Sequence, residues 1–109
     1  MKTITALLMV LFAGSAVAQE STAIDDLKRG ETATISGQVE RILDEDEFRL
    51  TDDTGSIRVY VGPNRMPVKT DDVVSVTGFV DDGIGPLELY AHSLTRADGS
   101  TVAFSHRYE

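Results

Sequence analysis

The 109-residue sequence contains no cysteine and no tryptophan, and its 10 Lys and Arg residues are outnumbered by 18 Asp and Glu residues. Without cysteine the chain can form no disulfide framework, no iron–sulfur cluster and no cysteine zinc site, and it has no thiolate nucleophile. The formal net charge of −8 argues against sequence-independent binding to nucleic acid or anionic lipid, which requires clustered basic residues. We therefore expect no nucleic-acid partner.

Catalytic motifs are also lacking. The sequence has two histidines, His92 and His106, and contains neither Gly-x-Ser-x-Gly nor His-Glu-x-x-His. The segment Gly83-x-Gly85 is too short for a phosphate-binding loop. We therefore expect no enzymatic activity and no cofactor.

The first 18 residues have the pattern of a secretory signal peptide. Lys2 supplies a positive charge, residues 3–13 form an apolar run, and Ala16-Val17-Ala18 matches the small-x-small cleavage pattern. The uncharged stretch of residues 3–18 is shorter than the roughly 18–20 residues that span a bilayer. We expect export, cleavage before Gln19, a periplasmic location and no membrane span in the mature chain.

Residues 19–30 carry the signals of a short helix. Asp25 and Asp26 suit its first turn, where the helix dipole favours negative charge, and Gly30 can adopt the left-handed conformation that ends a helix. A helix of this length is not stable alone. We expect it to pack against the rest of the domain.

From residue 31 the hydrophobic pattern has a period of two residues, which is typical of β-strands. Five such segments are separated by turns rich in Asp, Gly and Pro; they cover residues 33–42, 47–51, 56–61, 74–80 and 87–94. The phase slips at Ile42 and at Leu94, and the first slip, close to Gly37, predicts a long, bent and bulged first strand. Pro63 and Pro67 exclude a regular helix between the third and fourth strands.

Five short strands with a bent first strand favour an all-β fold, a five-stranded OB-type barrel with a short N-terminal helix and no regular helix between strands 3 and 4. An SH3-like barrel and a five-stranded sandwich stay open on the pattern alone. The predicted organisation is a signal peptide at 1–18, a short helix at 19–30, a barrel at 31–97, and a C-terminal extension at 98–109 with a short strand. The expected inward-facing residues are Ile35, Val39, Phe48, Leu50, Ile57, Val59, Val74, Val76, Val80, Leu87 and Leu89.

The framework residues resemble those of a known family. The segment Gly37-Gln38-Val39-Glu40-Arg41-Ile42 precedes an acidic loop, and it is followed by Phe48-x-Leu50-x-Asp52, Gly55-x-Ile57-x-Val59-x-Val61, Val74-x-Val76-x-Gly78-x-Val80-Asp81 and Glu88-Leu89. Over residues 22–95 this pattern is similar to the periplasmic bacterial OB-fold (BOF) stress-tolerance family, the YgiW/YdeI-like proteins. The resemblance implies a signal peptide, a five-stranded OB barrel, no enzymatic activity and a role in tolerance to envelope stress.

Two acidic loops form the first candidate site. Asp44, Glu45 and Asp46 lie between the first and second strands, and Asp81 and Asp82 lie between the fourth and fifth. Both loops flank the ligand face of an OB barrel, so we expect one negative rim that binds a small cation or a cationic peptide. The ligand set for a specific metal stays undefined. The alternative is that these loops are solvated surface that keeps an exported protein soluble.

A second candidate site lies on the outer face of the second and third strands. If the turn at residues 52–55 pairs the two strands as a hairpin, Arg49 lies opposite Arg58 and Tyr60 lies on the same face. Guanidinium forks and aromatic faces suit an anionic or sugar ligand.

The sequence therefore predicts a non-enzymatic exported OB-fold binding module that contributes to cell-envelope stress tolerance and binds cations or cationic peptides. The alternatives are a glycan- or anion-binding module that uses the second site, and an adapter. In the adapter, exposed Phe79, Tyr90 and the C-terminal strand would dock onto another envelope protein. The sequence does not define the oligomeric state.

The cleavage pattern gives the first testable prediction. In protein extracted from the periplasm, intact mass should correspond to a chain that begins at Gln19, because Ala16 and Ala18 fit the cleavage site. A major species that keeps Met1 and resides in the cytoplasm would contradict the export hypothesis.

Overall fold

Six strands make up about half of residues 21–105, the part of the chain that the computed structural model describes. They are β1 (Thr32–Asp44), β2 (Glu47–Thr51), β3 (Ser56–Tyr60), β4 (Val73–Val80), β5 (Glu88–Arg96) and β6 (Thr101–Ala103). The sheet order is β3-β2-β1-β4-β5-β6, and a parallel pairing of β3 with β5 closes the first five strands into a barrel. The all-β class and the five-stranded OB-type barrel are confirmed. The predicted signal peptide, its cleavage site and His106 lie outside the described residues.

β1 is long enough to serve both halves of the barrel. Residues 32–38 pair with β4, and residues 38–44 pair with β2. A register shift between Val39 and Arg41, and a second one near the end of the strand, are β-bulges that increase its bend. The predicted bent and bulged first strand is confirmed.

Two glycines mark places where barrel strands approach too closely for a side chain. A Cβ atom at Gly37 would collide with the backbone carbonyl oxygen of Thr51, and one at Gly78 would collide with that of Tyr90. Gly78 also lies beside the irregularity in the β4–β5 pairing, where His92 is the extra residue of a bulge. This bulge explains the second slip of the sequence pattern.

Asp52 joins the β2–β3 turn to the N-terminal segment. Its Oδ1 accepts hydrogen bonds from the backbone N–H groups of Thr54 (2.7 Å) and Gly55 (3.1 Å), and its Oδ2 accepts one from that of Ile24 (2.9 Å). Burial would by itself raise the pKa of Asp52, but these hydrogen bonds to the ionised form outweigh it and lower the pKa. One carboxylate therefore fixes both a turn and the chain that precedes the barrel.

The predicted N-terminal helix is reduced to a single 3-10 turn at Ile24–Asp26. Ala23 and Leu27 on either side of it are extended, and Asp52 takes the place of a local capping side chain. Tertiary hydrogen bonds therefore override the local helix signals, which are weak in so short a segment. Ile24 is buried against the end of the barrel.

The core is continuous and apolar. Of the predicted inward-facing residues, Leu87 is half-buried and the others are buried. The core also includes Ile24, Val61, Val68, Ala91 and Leu94, and no polar or charged residue between positions 21 and 105 is buried. Val68 belongs to the connection between β3 and β4, which contains no helix in the described chain. Within the same range no helix has the length and apolar composition needed to cross a membrane.

Phe48 gives a direct test of the core. Its side chain is fully buried, so Phe48→Ala should lower the free energy of unfolding by about 3–5 kcal/mol, as truncation of buried aromatic residues does. Ile84→Ala is the matched control, because Ile84 is 91% exposed, and it should change stability by less than about 0.5 kcal/mol. Urea unfolding measures both, and equal midpoints for the two variants would contradict the placement of Phe48.

Candidate functional site

The outer face of the barrel carries charged and aromatic side chains in rows that run across the strands. Glu47 of β2 is the register partner of Tyr60 of β3, and Tyr60 is the partner of Tyr90 of β5. Register partners point to the same side of a sheet and lie within contact distance. Because the interior is filled by the apolar residues between them, this row faces outwards.

Glu47, Tyr60, Glu88 and Tyr90 line an open pocket of about 430 Å³. The rings of Tyr60 and Tyr90 meet edge to face, with centroids 5.9 Å apart and an interplanar angle of 80°. The volume lies within the range of small-ligand sites. The pocket spans the parallel pairing of β3 with β5.

Two carboxyl groups meet in this pocket. Burial and a hydrogen bond with the neighbouring Glu47 carboxylate raise the pKa of Glu88 from 4.5 to about 7, and Asp81 adds to the effect. Arg58 acts in the opposite direction and also places its Nη1 3.7 Å from Oε1 of Glu47. Glu88 therefore holds its proton more tightly than an ordinary glutamate, and its pKa stays raised because one guanidinium does not compensate the neighbouring carboxylates.

Arg29 holds the loop between β4 and β5 at the edge of the pocket. Its two terminal nitrogens donate hydrogen bonds of 2.6 Å to the carbonyl oxygens of Gly83 and Gly85. At the start of the loop Oδ1 of Asp81 accepts a 3.3 Å hydrogen bond from the Tyr90 hydroxyl. The loop is therefore held at its first residue and at its middle.

The residues of the predicted acidic rim fall into two environments. Asp44 accepts a 2.7 Å hydrogen bond from the backbone of Glu45, and Glu45 and Asp46 line a separate pocket of about 530 Å³ against residues 62–66. Asp81 contacts the aromatic pocket through Tyr90, and Asp82 follows it on the exposed side. Among residues 21–105 no three His, Asp or Glu side chains form a group that could hold a metal ion.

Sequence reasoning missed Glu47 and Glu88 as a pair. A signal for Glu47 was present, since the hairpin register that pairs Arg49 with Arg58 also pairs Glu47 with Tyr60. Nothing comparable pointed to Glu88, because its position follows from the parallel pairing of β3 with β5, which joins segments about 30 residues apart in the chain.

The residues of the second predicted site, Arg49, Arg58 and Tyr60, lie where the hairpin register predicted them. Arg49 lies opposite Arg58, and Arg41 of β1 is the next partner in the same row. Tyr60 lies two residues beyond Arg58, in the row that leads to Tyr90. The arginines and the aromatic pair therefore form adjacent rows on one face.

The two aromatic side chains considered for protein docking are less exposed than expected, whereas Thr101 and Ala103 of the C-terminal strand are exposed. Phe79 is half-buried and lies between Thr32 and Tyr90 in the sheet, and Tyr90 is half-buried as well. His92 is exposed in the β5 bulge, and its carbonyl oxygen accepts a 2.9 Å hydrogen bond from the backbone of Phe104.

Another pocket, of about 490 Å³, lies at the far end of the barrel, between the β3–β4 connection and the β5–β6 turn. Its charged side chains already have partners. Lys69 lies 3.7 Å from Asp72, and Arg96 donates to the carbonyl oxygen of Pro67 at 3.0 and 3.3 Å. These contacts hold the β3–β4 connection in place, so we assign this pocket a structural role.

Comparison with known proteins supports the fold. No family model matches the chain, and no match is found among curated protein sequences. Among solved structures, the chain is similar to that of the hypothetical protein YgiW from E. coli, with a TM-score of 0.63 and 20% sequence identity. The match covers 72% of this chain and 91% of YgiW. The chain therefore has a YgiW-like OB fold.

Proposed function

We propose that this protein is a non-enzymatic binding module of the cell envelope that takes a cationic organic group, such as the side-chain ammonium of a cationic peptide, into the pocket of Glu47, Tyr60, Glu88 and Tyr90. The convergence of two carboxyl groups and two aromatic rings in one open pocket carries the proposal. In this proposal the protein's contribution to the cell is tolerance to envelope stress, which the resemblance in sequence implies.

An organic cation fits this pocket better than a metal ion. Tyrosine rings attract ammonium and guanidinium groups through their π faces, and carboxylates supply the opposite charge. A hard metal ion requires several oxygen ligands in a defined geometry, and residues 21–105 contain no such group.

In the free pocket the proton on Glu88 removes negative charge that a cationic ligand would otherwise neutralise. Because the raised pKa of Glu88 reflects burial beside a second carboxylate, a bound ammonium would favour the ionised form of Glu88 and displace its proton. Binding of a cation should therefore release a proton near neutral pH.

The pH dependence of binding tests this proposal. The side chains of an N-acetylated hexalysine peptide keep their charge between about pH 6 and about pH 8, whereas Glu88 changes from mostly protonated to mostly ionised. Affinity should therefore rise by up to about tenfold over this interval. Titration followed by NMR should show the largest shifts at the rings of Tyr60 and Tyr90.

Two variants separate the pocket from general electrostatic attraction. Glu88→Gln should weaken hexalysine binding and remove its pH dependence, whereas Glu40→Gln, which deletes the same charge at an exposed position of β1, should leave both nearly unchanged. If both variants weaken binding equally, or if only changes at Asp44, Glu45 and Asp46 weaken it, the pocket is not the site.

The carboxyl pair should also affect stability in the absence of a ligand. Since the folded-state pKa of Glu88, about 7, lies above its ordinary value of 4.5, the folded protein retains a proton that the unfolded chain releases. The stabilisation is fully present below about pH 4.5 and is lost as pH rises through about 7. Solvent screening limits it to at most about 1 kcal/mol.

Urea unfolding at a series of pH values measures this effect as the difference between the wild type and Glu88→Gln. The variant should lose less stability than the wild type between about pH 5 and about pH 8, because it cannot ionise at this position. Parallel pH profiles for the two proteins would show that Glu88 is not perturbed.

A further inference from the structure

Three arginines lie side by side across three neighbouring strands. Arg41 of β1 is the register partner of Arg49 of β2, and Arg49 is the partner of Arg58 of β3. With adjacent strands about 4.8 Å apart, the row extends over about 10 Å. Arg41 and Arg58 are exposed and Arg49 is half-buried, so the row lies on the outer face of the barrel.

The row concentrates positive charge in a protein whose overall charge is −8. Glu47 forms an ion pair with Arg58 at 3.7 Å, but in the described part of the chain neither Arg41 nor Arg49 has a carboxylate within ion-pair distance. Arg49 donates a weak 3.4 Å hydrogen bond to the neutral Ser56 hydroxyl. Like charges placed directly opposite one another destabilise a sheet, so folding alone does not account for this arrangement.

The chemistry of the row matches an anion with more than one charged group. Each guanidinium can bind a phosphate through two parallel hydrogen bonds, and neighbouring forks lie about one strand spacing apart. On one side the row is followed by the neutral polar partners Gln38, Thr51 and Ser56. On the other side Glu47, and Glu88 as the register partner of Arg58 on β5, repel anions and so limit the ligand to the arginines.

We propose that Arg41, Arg49 and Arg58 form a second binding site, distinct from the aromatic pocket, that takes an oligophosphate group. The phosphates come either from a soluble molecule or from the headgroups of an anionic lipid surface. The two sites meet at Arg58, which forms an ion pair with Glu47 and is the register partner of Glu88, whereas Arg41 and Arg49 belong to the second site alone. Variants of Arg41 and Arg49 therefore test the second site separately from cation binding.

Titration with inorganic tripolyphosphate tests the site. The Nε–Hε NMR signals of Arg41 and Arg49 should shift, affinity should exceed that for orthophosphate, and binding should weaken as salt is raised. Arg41→Gln and Arg49→Gln should each weaken binding by about tenfold, as loss of a charge-assisted hydrogen bond does. Arg65→Gln is the matched control: it removes one exposed arginine outside the row and should change affinity by less than about twofold.

Stability provides a second readout that a purely structural role would not produce. Since Arg49→Gln removes repulsion from the row, the variant should be at least as stable as the wild type in urea while it binds tripolyphosphate less well. A variant that loses binding because it unfolds would show the opposite change in stability.

Co-sedimentation with phosphatidylcholine vesicles, with and without phosphatidylglycerol, distinguishes the two sources of phosphate. Tripolyphosphate binding without vesicle binding assigns a soluble ligand, and vesicle binding that Arg49→Gln abolishes assigns lipid headgroups. The proposal is overturned if neither probe binds, or if Arg65→Gln weakens binding as much as Arg49→Gln does.

Discussion

The architecture depends on a single long strand that hydrogen-bonds along both of its edges. The first half of β1 pairs with β4 and the second half with β2, so the chain must bend sharply at their junction. Gly37 permits this bend because its missing side chain leaves room for the backbone of Thr51. The bend in β1 places β2 and β3 so that β3 pairs with β5, and this pairing closes the barrel.

Closure also determines the surface chemistry. Once the apolar side chains fill the interior, the alternate residues of β1, β2, β3 and β5 are presented as cross-strand rows on one outer face. Glu47, Tyr60 and Tyr90 fall in one row, and the arginines fall in the next. One row is therefore acidic and aromatic and the next is basic, because different residues occupy the outward-facing positions of the strands.

The sequence predicted the structure well where it depends on residues close together in the chain, and less well where it depends on contacts between distant residues. The register of β2 and β3 followed from a four-residue turn and a period of two, and the bulge in β1 followed from a slip beside a glycine. The helix signals at residues 19–30 were misleading, because the side chain of Asp52, far along the chain, determines the conformation there. Val68 is in the core because the β3–β4 connection covers the barrel, which no periodic pattern reveals.

The candidate site shows the same limit. Arg49, Arg58 and Tyr60 could be placed together because one hairpin contains them all. To predict that Glu47 and Glu88 meet, one must know which strand closes the barrel. To predict that Arg41 lies beside Arg49, one must place the bulge in β1 to within one residue. In this protein the side chains that meet across strands distant in sequence are also the ones that give the face its chemistry.

The β3–β5 contact has a kinetic consequence. It consists of three residue pairs, Arg58 with Glu88, Val59 with Leu89 and Tyr60 with Tyr90, whereas β1 and β4 share seven. Because the seam is short and joins distant segments, we expect it to form late in folding and to open before the longer pairings. Opening would separate Tyr60 from Tyr90 and divide the pocket, so a ligand of that pocket would bind the closed barrel alone and stabilise it. A ligand bound in the pocket would then slow the access of proteases to the interior and lengthen the lifetime of the protein.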